Sequence, residues 1–377
     1  MVGEPAVIRV AVAGGSVAGL GAGVALHRAG VDVHVFERDA GPLRSTGAGL
    51  VVQPELLALL QGDGAVLPMT HCSGRRYLGF DGAVGALQRM PQQFTSWDAV
   101  HGTLLSSFPG NRYHRGAPVD GLLDPARLDR GVTIEGSGPF HADLLIAADG
   151  AQSPTRRELF PELEADYAGY VAWRGTVLER DMSPDLVAAF DDVFTFSESR
   201  SGGHALAYFI PGDEMSTQAG QRRLNWVWYV GATVKERDEL LVTRDGNQRR
   251  SSLRRGMARD DAVAELRRSA FQELHPLFAR LVAAAPDPFL QTIVDLGVPR
   301  TVVGRTVLIG DAAFVVRPHT AGGAAKAARD ALTIAEALRN AGADIDRALE
   351  SFERQQMAYG RELLRYGIQL GRQWARL

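Results

Sequence analysis

A chain of 377 residues, 45% of them hydrophobic, is long enough to bury a large core, which excludes a disordered chain and predicts one large or two intimately joined domains. The net charge of -3, with no run of basic residues, removes the electrostatic case for nucleic acid or an anionic membrane surface and favours small-molecule work. The single Cys72 cannot form an internal disulfide, so it predicts an inert thiol and a cytoplasmic setting.

The apolar stretch 7–13 is too short to span a bilayer and runs into glycines without a signal-type cleavage region, so it predicts a buried strand rather than an integral membrane segment. Gly14-Gly15-Ser16-Val17-Ala18-Gly19 then opens an Ala/Leu-rich helix that stops near Gly30. A second β-branched stretch follows and ends at Glu37, completing a βαβ unit with a parallel pair. A dinucleotide pyrophosphate needs donors without side-chain obstruction, and a glycine turn at a helix N-terminus supplies backbone N–H groups. Gly14, Ser16, Val17, Ala18 and Gly19 are therefore candidate contacts, with Ser16 standing where a second glycine is usual and adding a hydroxyl for phosphate. Glu37 stands where a carboxylate accepts both ribose hydroxyls and repels a 2′-phosphate, so this first site should hold FAD or NAD rather than NADP.

Two further acidic turns distinguish flavin from NAD. After Asp143, the apolar stretch 144–148 delivers Asp149-Gly150, followed by Ser153 and Arg156. Between these turns the texture changes, and aromatic-rich strands over 170–177, 193–196, 204–210 and 224–230 predict an antiparallel sheet. The charged stretch 235–268, with Arg249, Arg250, Arg254 and Arg255, predicts a solvated loop and an exposed helix face. The second strand-into-turn design comes at 304–313, where Thr306-Val307-Leu308-Ile309 runs into Gly310-Asp311 and an Ala-rich helix to about Asn340. An amphipathic segment, 344–377, predicts a last helix.

In order and spacing these three motifs resemble the flavin-dependent aromatic hydroxylases that have a single nucleotide-binding fold, over nearly the whole chain. The segments 47–56, 167–175 and 317–326 resemble the hydroxypyridine hydroxylases of that family. The resemblance implies an α/β fold: a Rossmann-like, three-layer FAD-binding domain with a parallel sheet, an inserted mainly antiparallel substrate domain and a C-terminal helix. The implied FAD domain is discontinuous, 1–75, 95–165 and 285–340; the substrate domain takes 76–94 and 166–284, and 341–377 is the helical segment.

The implied activity is hydroxylation of a small aromatic or N-heteroaromatic compound by a monooxygenase that uses FAD, NADH or NADPH as transient co-substrate, and O₂, through a flavin hydroperoxide. Asp149 would serve FAD and the nicotinamide, and Asp311 the FAD ribityl chain. Pro318 would present backbone near the reactive face of the isoalloxazine, with Gly322 and Gly323 starting a helix whose amides stabilise negative charge at its pyrimidine edge. Phe314 replaces a common family histidine. Trp97 replaces a common arginine, which leaves Arg38 and Arg44 as candidates for phosphate neutralisation.

Positioning the ring and drawing off a ring proton are then the protein's tasks, and the candidates are His319, in the ordinary imidazole pKa range, with Tyr208 and His204 on one face of a strand. No metal site is expected. A halogenase or an oxidase on the same scaffold is the alternative. Trp226-Val227-Trp228 is superficially similar to a halogenase signature but lacks its Ile-Pro ending and reads as sheet packing. A homodimer is the expected oligomeric state.

Overall fold

The computed structural model describes residues 8–43, 49–61, 64–122, 132–342 and 344–375. Among these the strands form three sheets. In the six-stranded sheet Arg9–Ala13 lies between Asp32–Glu37 and Leu144–Ala147, parallel to both, and Leu144–Ala147 pairs in parallel with Thr306–Leu308. Tyr113–Arg115 extends one edge in parallel, and Val302–Val303 adds an antiparallel strand at the other. Helices cover one face, against Val10, Val12, Leu144 and Ile146, and the three-stranded sheet of Val119–Leu122, Val132–Ile134 and Gly138–Phe140 covers the other, against Ala11, Ala13 and Leu145, so the central strands are apolar on both faces: Val10 to Ala13 and Leu144 to Ala147 are all buried.

Helix Val17–Arg28, the first crossover, packs against helix Gly323–Ala341 through Leu20, Ala328, Ala331 and Ile334. The first fold thus closes only when the late Gly-Asp stretch returns to it. The α/β architecture expected from the sequence is the one observed.

The ten-stranded sheet is built around Asp166–Leu178, which is antiparallel to both Arg223–Gly231 and Phe289–Gly297. His204–Ile210 and Val193–Glu198 continue it antiparallel, and Val193–Glu198 then pairs in parallel with Thr70–Leu78. Thr70–Leu78 belongs to this sheet along its length, so the expected boundary at residue 75 falls inside a strand. Gly49–Val51 also pairs here, through Gln88–Ser96.

Side chains alternate across the pleat, which gives the sheet two different faces. Trp173, Trp226 and Trp228 point into a core shared with helices Asp260–Glu273 and Pro276–Ala284. That packing accounts for the Trp-Val-Trp stretch. The opposite face carries Arg174, Val227, Tyr229, His204, Leu206 and Tyr208 toward a cavity.

One expectation needs correction. Arg249, Arg250 and Arg254 are exposed, but Arg255 is partly buried, donating from Nη1 to Thr176 Oγ1 at 2.9 Å and lying 5.4 Å from the Phe289 ring centroid. The short strand Ser252–Leu253 pairs with Phe289–Gly297 and pulls the charged stretch onto the sheet. The last helix, Ile345–Ala375, packs on Gly323–Ala341 and on the Pro318–Thr320 turn. Among the described residues no helix is long and apolar enough to cross a membrane.

Candidate active site

The parallel strands deliver their turns to one edge of the six-stranded sheet. Glu37 ends one strand, Asp149 follows its neighbour but one, and Gly310-Asp311 follows the next. At the first turn Gly14 has φ +105° and a side chain there would strike the Ala148 carbonyl; one at Gly19 would strike the Gly14 carbonyl. Gly15 is held from both ends: its N–H donates to Glu37 Oε2 at 2.7 Å, and its carbonyl lies 3.1 Å from both His101 Nε2 and Tyr113 Oη. Glu37 Oε1 accepts from Asp39 N–H at 2.9 Å. Each carboxylate oxygen of Glu37 keeps lone-pair capacity for a hydroxyl.

Arg156, buried, ties the second turn to the third. Its Nη1 donates to the Ala312 carbonyl at 3.0 Å and the Asp311 carbonyl at 3.2 Å, and its Nη2 to Ala151. Asp149 Oδ2 caps Thr155 N–H at 3.1 Å, while its Oδ1 is buried without a partner among the described residues. The third turn rests on an ion pair absent from the sequence reading. Lys326 Nζ donates to Asp330 Oδ2 at 2.7 Å and to the Gly310 carbonyl at 3.0 Å, and Gly310 N–H donates to the same Asp330 oxygen at 2.8 Å. Spacing i,i+4 in an Ala-rich helix was the available signal.

A cavity of about 840 Å³ runs from these turns to the large sheet. Ser16, Val17, Ala18, Asp311, Pro318, His319, Gly322 and Gly323 line it, together with His204 and Tyr208. Gly14, Gly19, Glu37 and Asp149 stand behind or beside that lining; Arg38 is exposed just beyond Glu37, and Arg44 lies outside the described residues. Trp97 lines the cavity too, stacked on His101 at 4.8 Å. Asp311 is open to the cavity, yet the surrounding protein desolvates its carboxyl and raises its pKa despite Lys326 and Arg156. Ala321 adopts φ +50°, uncommon without glycine, and its carbonyl accepts from Gln53 Nε2 at 2.9 Å.

At the far end His319 lies against Tyr229, ring centroids 4.4 Å apart, and 5.4 Å from His204. Burial, with Arg317 adding to it, pushes the His319 imidazole down to about 4 rather than leaving it in its ordinary range. The sequence expectation for its pKa is therefore corrected: His319 is neutral throughout the physiological range. Burial holds His204 at about 3, and pushes the phenols of Tyr170 and Tyr208 up to about 12. Arg317 is committed to Asp295 through Nη2 at 2.6 Å and Nε at 2.9 Å, which fixes the turn bearing Pro318 and His319.

This cradle fits FAD: glycines where a Cβ would collide, an unsatisfied Asp149 oxygen, and the N-terminus of helix Gly323–Ala341 at the cavity wall. Comparison with known proteins points the same way. Residues 167–295 match the FAD binding domain-like family. The chain is 36% identical over 365 residues to the 2,6-dihydroxypyridine 3-monooxygenase of Paenarthrobacter nicotinovorans, covering 96% of this chain and 90% of that one.

It is 26% identical to the 6-hydroxynicotinate 3-monooxygenase of Pseudomonas fluorescens, over 89% of this chain and 83% of the relative. The solved 2,6-dihydroxypyridine-3-hydroxylase from Arthrobacter nicotinovorans superposes with a TM-score of 0.91 at 33% identity, over 99% of this chain and 94% of that chain. A Klebsiella pneumoniae structure with FAD and uric acid shares the fold, with a TM-score of 0.74 at 23% identity, over 96% of this chain and 87% of that chain.

Fold and site define a flavin-dependent oxidoreductase. The chain belongs to the family of FAD-dependent aromatic-ring monooxygenases.

Proposed function

We propose that this protein hydroxylates a small hydroxylated N-heteroaromatic ring of the hydroxypyridine type, with NADH or NADPH as reductant and O₂ as co-substrate. The observation that carries the reading is the single cavity joining the dinucleotide turns to the aromatic sheet face. The relatives acting on 2,6-dihydroxypyridine and 6-hydroxynicotinate support the substrate class.

In this reading residues 1–75, 95–165 and 285–340 form the FAD-binding part, less the strands that pair into the large sheet; 76–94 and 166–284 form the substrate-binding part, and 341–377 the helical segment. Backbone amides at Ser16 to Gly19 receive the pyrophosphate, Glu37 the ribose hydroxyls, and Asp311 the ribityl hydroxyls, with Asp149 supporting the turn between them. Bound FAD, once reduced, supplies the oxygen-activating chemistry. Leu206, Val227 and Tyr208 form a wall for the ring and keep water out.

His319 faces the ring. Its Nε2 is taken by the Tyr170 hydroxyl, which leaves Nδ1 for a substrate hydroxyl. A phenol both donates and accepts, so Tyr170 supports either neutral tautomer, one with a lone pair at Nδ1 and one with a proton there. A buried Cys72 suits a reducing cytoplasm, and sedimentation checks the homodimer expectation.

The deciding experiment is a screen of hydroxypyridines, phenols and related N-heterocycles for substrate-stimulated NAD(P)H oxidation, with product mass. A product one oxygen heavier supports the reading. Oxidation without any oxygenated product, for every ring tested, overturns it.

A further inference from the structure

The last helix closes one side of the cavity and carries, on its solvent side, a groove with no role in the hydroxylase reading. Where the helix meets the Pro318–Thr320 turn there is no room for side chains: one at Gly367 would crowd Thr320 and the Arg317 backbone, and one at Gly371 would strike the Arg317 side chain. These two glycines set the helix hard against the turn. Tyr366 and Leu370 then fall at the cavity wall, and Tyr366 is 50% exposed, so its ring stands at the rim.

Helix residues advance by about 100° each, so the next stripe beyond this rim is Arg365, Ile368, Gln369, Arg372 and Gln373. They line an open groove of about 400 Å³. Arg365 and Arg372, seven residues apart, stand on one side of the helix. Arg365 Nε donates to the Arg361 carbonyl at 3.4 Å, and among the described residues neither arginine is paired with a carboxylate.

An aromatic rim beside two arginines is complementary to a ligand that carries a flat ring and, one ribose away, a diphosphate. At side-chain radius, 100° of helix surface is an arc of about 10 Å, within reach of a ribose and its links. The glycine turn at 14–19 serves FAD, and the sequence repeats its Gly-Gly-x-x-x-Gly pattern nowhere else. A second dinucleotide must therefore be met by side chains.

We infer that the last helix is the docking site of the nicotinamide reductant: Tyr366, backed by Leu370, receives the nicotinamide ring at the cavity rim, and Arg365 and Arg372 receive the diphosphate. This rests on the hydroxylase reading, which calls for NADH or NADPH, but is tested by binding and not by turnover. Arg339, exposed in the last turn of helix Gly323–Ala341 and so at the end remote from the cavity, serves as the control.

The experiment is calorimetric titration of the FAD-loaded protein with the 1,4,5,6-tetrahydro forms of NADH and NADPH, which keep the carboxamide ring but cannot give up hydride. The matching ADP-ribose, without the ring, is the second probe. Tyr366→Ala should weaken the tighter tetrahydro dinucleotide about tenfold and leave ADP-ribose within about twofold, while Tyr366→Phe keeps the parental affinity for both. Arg365→Gln/Arg372→Gln should weaken both ligands about tenfold and flatten the salt dependence of binding, and Arg339→Gln should do neither. An unchanged melting temperature and FAD content exclude misfolding.

Failure of both tetrahydro dinucleotides to bind the parent, parental affinity in Tyr366→Ala or in the double arginine variant, or an equal loss in Arg339→Gln overturns the site. Product mass, measured separately, reports on the hydroxylase reading alone: the expected binding pattern without any oxygenated product sinks that reading and leaves the dinucleotide site standing.

Discussion

Tyr170 Oη and His319 Nε2 are 2.8 Å apart, and this contact joins a strand of the large sheet to the turn that carries Pro318. The phenol is buried with its pKa near 12, and Arg317 lies over its ring at 5.5 Å. His319→Ala should lower coupled hydroxylation by about 10²-fold with normal FAD content, and raise released peroxide relative to product. Tyr170→Phe should reproduce the uncoupling at about a tenth of the parent rate, because the imidazole loses the hydrogen bond that orients it. Product and peroxide quantified per NAD(P)H consumed check both; parental coupling in His319→Ala assigns the base elsewhere, with Tyr208 and His204 next.

Glu37→Ala and Asp311→Ala should each weaken FAD retention by about 1–3 kcal/mol, because ribose or ribityl hydroxyls lose acceptors in an enclosed site. Glu37→Ala also strips Gly15 N–H of its partner and so loosens the turn itself. Flavin fluorescence titration of the apoprotein measures both. Undiminished affinity in the two variants argues against the assignment.

Lys326→Met should destabilise the protein by about 3–5 kcal/mol, because Asp330 is left as a buried, unpaired charge. Lys326→Met with Asp330→Leu should recover part of that, not all, since Gly310 N–H still loses its acceptor. Urea unfolding distinguishes these outcomes. A single variant as stable as the parent shows that the pair is incidental.

Acid should destabilise the cavity end of the sheet. His204 and His319 stand near 3 and 4 when folded, against 6.5 for a free imidazole. Between about pH 4 and 6.5 the unfolded chain therefore binds more protons, so these groups make stability fall as pH drops through that window and add no slope above it. Melting temperature against pH should flatten there in His204→Gln/His319→Gln. An unaltered slope refutes the account.

The dinucleotide end was legible because phosphate and ribose recognition is local: a glycine turn, a helix start and a strand-end carboxylate fall within 24 consecutive residues, 14–37. His319 beside Tyr170 was not legible as a pair, because 149 residues separate them and only the packing of the Pro318–Thr320 turn against the strand Asp166–Leu178 brings them together. Arg254 and Arg255 are adjacent in one charged run, yet one is exposed and the other partly buried. Their difference arises from the pairing of Ser252–Leu253 with the large sheet, a two-residue event that no periodicity signals. Likewise the strands of 49–51 and 70–78 look like continuations of the first fold until their partners are known.

The placement of Arg9–Ala13 beside Leu144–Ala147, and of that strand beside Thr306–Leu308, sets an order on biosynthesis. The amino-terminal strand pairs early with Asp32–Glu37, but its other neighbour is more than a hundred residues downstream and the strand after that nearly three hundred. Such non-local closure is slow, and the apolar edges wait unsatisfied meanwhile. A nascent chain halted before helix Gly323–Ala341 lacks the surface that covers Val17–Arg28 and the lysine that locks Gly310. Truncation from the carboxyl end should therefore yield a chaperone-bound or insoluble product, and not a smaller nucleotide-binding protein.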